Sequence, residues 1–261
     1  MGVKVEHLRF SYDEKVNVLK DISFRADSGD VLAVLGPNGV GKSTLFQCLL
    51  GFLRPSEGTV ELEGRDVQHM TNSERAKAIA YIPQSAAPVF NYTVLDIVTM
   101  GMTGQMRMFE SPGPEHRERA METLRSLGMD HLAHRGCNQI SGGERQLMLL
   151  ARALVQDAKI LLMDEPTANL DYGNSYRVME RICTLGSRGF TVIFSSHEPG
   201  HALRYADRVL ALLDGTVLAE GTPAEVLTEE ALTRLYGIPV AVREVDVNGT
   251  GFPVSVPYRD E

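Results

Sequence analysis

Gly36-Pro37-Asn38-Gly39-Val40-Gly41-Lys42-Ser43-Thr44 fills the pattern G-x-x-x-x-G-K-[ST] completely. An apolar run at residues 31–35 precedes it, and a helix-like run at residues 43–52 follows. Strand, glycine-rich loop and helix together are the context that makes this pattern a phosphate-binding loop. Glycines let backbone N–H groups curl around phosphates, and the following helix adds its positive N-terminal end. Lys42 is expected to reach terminal phosphates, and the Ser43 hydroxyl to face Mg²⁺. The candidate phosphate contacts are Gly36, Asn38, Gly39, Gly41, Lys42, Ser43 and Thr44.

A second nucleotide motif lies downstream. Ile160-Leu161-Leu162-Met163-Asp164-Glu165 is an apolar strand ending in two acids. Adjacent strand residues point in different directions, so the two carboxylates take different tasks. Asp164 is placed to hold Mg²⁺, directly or through a water, and Glu165 to polarise an attacking water.

The remaining chain alternates in character. Residues 3–10, 22–26, 31–35 and 60–62 read as strands, divided by the turn Ser28-Gly29-Asp30 and by Glu57-Gly58. Thr71 to Glu74 matches a capping box, and residues 79–82 form a strand ending at Pro83-Gln84. Between 85 and 158 the pattern turns helical, with apolar periodicity at 94–100, 115–127 and 143–155 and a polar surface loop at 103–114. Buried strands at 160–163 and 191–195 flank a helix at 172–185. Continuous apolar strands alternating with helices predict an α/β core around a parallel sheet, with the helical segment as an insertion. The tail pairs 240–247 with 252–256 around Asn248-Gly249-Thr250-Gly251, a hairpin expected at the edge of the fold.

Composition narrows the classes of function. The 261 residues are 43% apolar, enough for a full core. With 26 Lys+Arg against 34 Asp+Glu the formal net charge is −8, which argues against bulk-charge binding to nucleic acid or an anionic membrane. No apolar run approaches the roughly 20 residues that span a bilayer. The charged N-terminus is not expected to direct export, and Glu6 stands where a myristoylation motif needs Ser or Thr. Cys48, Cys137 and Cys183 have no metal-ligand spacing and read as reduced thiols.

Between the two nucleotide motifs stands Ile140-Ser141-Gly142-Gly143-Glu144-Arg145-Gln146. This resembles the signature of ATP-binding-cassette (ABC) ATPases, and the order of phosphate loop, signature and acidic strand is that of the family. The resemblance covers about residues 3–237. It implies a P-loop α/β core with an antiparallel β subdomain (1–84 and 159–239), an inserted helical subdomain (85–158) and, outside it, a C-terminal hairpin extension (240–261). It also implies ATP and Mg²⁺ as ligands and a head-to-tail homodimer, in which Ser141, Gly142 and Gly143 of one copy face the γ-phosphate held by the other. Tyr12 resembles the aromatic residue that stacks on adenine, and Gln84 the glutamine that touches Mg²⁺ and the attacking water. Asp171 resembles the polar anchor of the loop crossing the dimer interface, and His197 the switch histidine at the γ-phosphate.

Finer likeness favours import. Residues 35–58, residues 73–84 and Gly221-Thr222-Pro223 are similar to ATPases of metal-chelate importers, which carry iron–siderophores, haem or cobalamin. Met100-Gly101-Met102-Thr103-Gly104 departs from that group's Gly-Arg-x-Pro stretch, and Glu144 stands where the wider family commonly has Gln. The expected partners are membrane permease subunits docked on the helical subdomain at the cytoplasmic face of the membrane and, indirectly, an external binding protein. In such systems the cargo is chosen by those partners rather than by the ATPase. The alternative is a soluble ABC ATPase in cofactor assembly or repair, or one serving an exporter. Met100, Met102, Met106 and Met108 read as adaptable packing or docking residues rather than metal ligands.

Overall fold

All five residues of the strand before the phosphate loop are buried, which requires cover on both faces. The computed structural model describes residues 2–13, 16–84, 92–106 and 111–259. Its first part runs β1 (Val3–Ser11), β2 (Asn17–Ala26), β3 (Val31–Leu35), α1 (Lys42–Leu49), β4 (Glu57–Leu62), β5 (Arg65–Asp66), α2 (Asn72–Ala78) and β6 (Ile79–Ile82). Three helices follow: α3 (Val94–Thr99), α4 (Pro114–Ser126) and α5 (Gly142–Leu154). Then come β7 (Ile160–Met163), α6 (Tyr172–Gly186), β8 (Thr191–Ser196), α7 (Pro199–Tyr205), β9 (Arg208–Leu213) and β10 (Thr216–Gly221). The chain closes with α8 (Pro223–Val226), α9 (Glu229–Tyr236), β11 (Val240–Val247) and β12 (Thr250–Pro257).

Among the described residues, one ten-stranded sheet has the order β5-β4-β1-β2-β10-β9-β3-β8-β7-β6. The β9-β3-β8-β7-β6 section is wholly parallel, and β1, β2, β4 and β5 pair antiparallel. The parallel α/β core and the antiparallel part are thus both present. β3 divides the interior in two. Val31, Ala33 and Leu35 face a core shared with helices α3 to α6, and Leu32 and Val34 face one shared with α1 and the antiparallel strands.

Several local expectations hold. The Thr71 capping box is complete: Thr71 Oγ1 accepts from the Glu74 N–H at 3.3 Å, and Glu74 returns to the Thr71 N–H at 2.8 Å. Others need correction. The helix after the phosphate loop ends at Leu49 rather than at residue 52. Part of the expected loop at 103–114 is a 3₁₀ turn, Met100–Gln105, which tucks Met102 into the core at 3% exposure. The expectations for residues 85–91 and for Met108 lie outside the described residues. The C-terminal hairpin does not extend the main sheet; β11 and β12 form a separate two-stranded sheet. Phe252 of β12 instead stacks on the Arg204 guanidinium of α7 at 5.3 Å, so side-chain packing holds the hairpin where no strand edge receives it.

β9 and β10 were not anticipated. Their turn, Asp214-Gly215, has both residues at positive φ (51° and 77°), the geometry that Asp-Gly favours in a two-residue hairpin.

Candidate active site

Four strand ends in the parallel section, those of β3, β8, β7 and β6, reach the site, with β6 leading to Gln84. Loops after parallel strands emerge on one edge of a sheet, so the phosphate loop, Asp164-Glu165 and Ser196-His197 converge there. The phosphate loop is held closely against the sheet. A Cβ on Gly36 would stand 2.6 Å from the Leu212 carbonyl oxygen, and Gly41 sits at φ 110°, so neither position tolerates a side chain. α1 then begins at Lys42, with unpaired N–H groups and the positive end of its dipole at the loop.

A cleft of about 510 Å³ is lined by Tyr12, Val18, Asn38, Gly39, Gly41, Lys42, Ser43, Thr44, Gln84 and Glu165. Lys42 is buried, and its Nζ donates to the carbonyl oxygens of Gly36 (2.7 Å) and Pro37 (3.2 Å). Burial pulls the Lys42 ammonium below its ordinary pKa, while Glu165 and Asp164 oppose that shift. Tyr12 is two-thirds exposed at the rim, its hydroxyl 3.3 Å from Thr44 Oγ1 and its ring edge-on to Phe10.

Beneath the cleft, Asp164 is 8% exposed. Its Oδ2 accepts from the Ser43 hydroxyl at 3.1 Å and its Oδ1 from the Ser195 hydroxyl at 2.6 Å. Ser195 also accepts the Glu165 N–H at 2.9 Å. Ser195 is a site residue that motif matching passed over; its signal was a hydroxyl following the apolar run Val192-Ile193-Phe194. Glu165 has φ 44°, a left-handed conformation that costs a non-glycine residue about 1–3 kcal/mol. That backbone turns its carboxylate into the cleft, where Oε2 accepts from Gln84 Nε2 at 2.8 Å and lies 3.5 Å from His197 Nδ1. The His197 side chain is half exposed.

Hard oxygen donors cluster here: the Asp164 carboxylate, the Ser43 hydroxyl and, across the cleft, the Gln84 amide. A buried carboxylate paired with a hydroxyl beside a phosphate loop fits Mg²⁺ with substrate phosphates. Not every candidate converges on this cleft. Ser141 caps α5 in a complete capping box: the Ser141 N–H donates to Glu144 Oε2 at 2.7 Å, and Ser141 Oγ accepts the Glu144 N–H at 3.3 Å. Gly143 lies against Asn174 of α6, and Asp171 caps α6 by accepting the Asn174 N–H at 2.9 Å. In a single chain, then, the signature glycines and Asp171 stand together but outside the cleft.

A phosphate loop, a buried carboxylate bonded to its serine and a parallel sheet define a P-loop nucleotide triphosphatase. The family model described as "ABC transporter" matches residues 19–168. The hemin import ATP-binding protein HmuV of Rhodococcus jostii is 39% identical over 244 residues, 94% of this chain and 82% of that protein. The molybdate import ATP-binding protein MolC of Haemophilus influenzae is 36% identical over 257 residues, 98% of this chain and 96% of that protein. Among solved structures, a metal-chelate type ABC transporter in an inward-facing conformation superposes with a TM-score of 0.89 at 35% identity, covering 99% and 98% of the two chains. A dimeric ATP-binding cassette in a post-hydrolysis state with ADP and Pi superposes with a TM-score of 0.72 at 28% identity, covering 85% and 98%. The chain belongs to the ABC transporter family of ATP-binding proteins, and it is an ATPase.

Proposed function

We propose that this chain is the ATP-hydrolysing subunit of an ABC importer whose cargo is a metal chelate of the iron–siderophore, haem or cobalamin type. The observation that carries this is the near-complete superposition on a metal-chelate type transporter. The relative that imports hemin supports the same class, and the one that imports molybdate shows that similar identity accompanies a different cargo. Among the described residues no helix is long and apolar enough to cross a membrane. Membrane attachment is therefore assigned to permease subunits docked on the helical part (85–158), with 1–84 and 159–239 as the catalytic core and 240–261 as an appended hairpin.

The roles proposed for the site follow its chemistry. ATP stacks its base on Tyr12 and places its phosphates over Gly36 to Thr44, where Lys42 exchanges its loop carbonyls for phosphate oxygens. Ser43, Asp164 and Gln84 hold Mg²⁺, which when bound neutralises charge on the phosphate oxygens. Glu165, oriented by Gln84 and His197, takes the proton of the attacking water. Ser141, Gly142 and Gly143 of a second copy close on the γ-phosphate, with Asp171 beside them at the interface. Loss of the γ-phosphate releases that contact and opens the dimer, moving whatever is docked on the helices.

The test is a pull-down of the tagged chain from gently solubilised native membranes with identification of co-purifying proteins. A stoichiometric polytopic membrane protein encoded for chelate uptake is the expected result. Recovery only from the soluble fraction with a soluble partner overturns the importer assignment.

A further inference from the structure

The imidazole of His201 joins three elements. It lies in the first turn of α7, four residues beyond His197, and its side chain is only 14% exposed. Nδ1 is 3.5 Å from Thr167 Oγ1, and Nε2 is 3.3 Å from Ser175 Oγ and 3.5 Å from Glu198 Oε2. Thr167 belongs to the segment connecting Glu165 to Asp171. Two turns shape that segment: the Ala168 N–H donates to the Glu165 carbonyl at 3.0 Å, and the Leu170 N–H donates to the Thr167 carbonyl at 3.2 Å. Among the described residues, the Thr167–His201 contact is the one side-chain hydrogen bond made by residues 166–170. Ser175 belongs to the first turn of α6, the helix that Asp171 caps.

We propose that His201 is a positioning residue for ATP hydrolysis. It fixes segment 166–170, and through it the backbone that carries Glu165, relative to the helix that follows His197. The inference rests on the roles proposed above for Glu165 and His197. A neutral imidazole donates from one nitrogen and accepts at the other, which suits two hydroxyl partners that can each take either role. Burial favours that neutral form by lowering the pKa, with Glu198 opposing. The contacts are long for hydrogen bonds, as catalytic networks are before substrate draws them together. Burial obliges each ring nitrogen to find a partner, and here the two partners come from different segments, so the ring ties segment 166–170 to α6 as well as to α7.

The experiment measures steady-state ATP hydrolysis by the full chain for Thr167→Val, His201→Ala and His201→Gln, with Glu165→Gln alongside. Thr167→Val keeps the side chain's shape and removes only the hydroxyl. Both Thr167→Val and His201→Ala are expected to lower kcat about tenfold with an unchanged KM for ATP. The pair combined should be no worse than His201→Ala alone, since that variant already breaks the contact Thr167→Val removes. His201→Gln is expected to recover part of the loss. Wild-type kcat in Thr167→Val overturns the proposal, because a His201→Ala defect would then be a packing defect alone. Wild-type turnover in Glu165→Gln overturns the site assignment itself and this inference with it. An inactive Glu165→Gln beside fully active Thr167→Val and His201→Ala overturns this inference only.

Discussion

The Ser195 hydroxyl donates a hydrogen bond to Asp164 Oδ1 at 2.6 Å, and Ser195 Oγ in turn accepts the Glu165 N–H at 2.9 Å. One hydroxyl thus holds both the carboxylate assigned to the metal and the backbone of the carboxylate assigned to water. Ser195→Ala leaves a buried carboxylate and a buried N–H each short of a partner. We expect a stability loss of about 1–3 kcal/mol by urea denaturation, accompanied by a lower kcat. An unchanged midpoint with unchanged turnover would show that neither group depends on Ser195.

Glu165→Gln preserves the side chain's size and the Gln84 neighbour but removes the base. ATP binding is expected to stay intact, hydrolysis to fall by about 10²–10⁴-fold, and an ATP-bound dimer to accumulate. Calorimetric binding, single-turnover hydrolysis and size-exclusion chromatography with ATP check the three parts separately. Turnover at the wild-type rate would remove Glu165 from the mechanism.

Tyr12 is an exposed aromatic side chain at the rim of the cleft. Tyr12→Ala is expected to weaken nucleotide binding by about 1–3 kcal/mol, and Tyr12→Phe to change it little. Because any base has a π-face, the loss should be similar for ATP and GTP in paired titrations. A loss confined to ATP would instead mean that the site reads the edge of adenine.

Glu144 carries a pH signature at the head of α5. The Ser141 N–H and hydroxyl hold its carboxyl below the ordinary value of 4.5. Its stabilising contribution is therefore complete above that value and is lost as pH falls through the lower folded value. Glu144→Gln can still complete a capping box but cannot titrate. Thermal unfolding followed from neutral to acid pH should show a shallower acid limb in the variant; parallel curves would sink the assignment.

The parts of this molecule visible in its sequence are those built from neighbours along the chain. Gly36 to Thr44, the acids after residues 160–163 and the Thr71 cap each complete their pattern within ten residues, so local spacing reveals them. The hairpin itself was legible for the same reason, although its turn is only Asn248-Gly249, so Thr250 and Gly251, expected in the loop, pair with Val247 and Asp246. The hairpin's position was not legible, because Phe252 docks on Arg204 through packing that no spacing encodes. Ser195 and His201 escaped as site residues because their partners, Asp164 and Thr167, become neighbours only when β7 and β8 pair. β9 and β10 carried an Asp214-Gly215 turn signal, but their place between β2 and β3 is a property of the whole sheet.

The alternation of β3 between two interiors bears on how the protein melts. Val31, Ala33 and Leu35 anchor one side and Leu32 and Val34 the other, so neither interior can dissolve while the strand stays in register. Both sides are therefore bound into one cooperative unit, and calorimetry should record a single endotherm for them. The phosphate loop leaves directly from the end of this strand. ATP bound there would raise that single transition as a whole, helical side included, rather than firm up one half of the molecule.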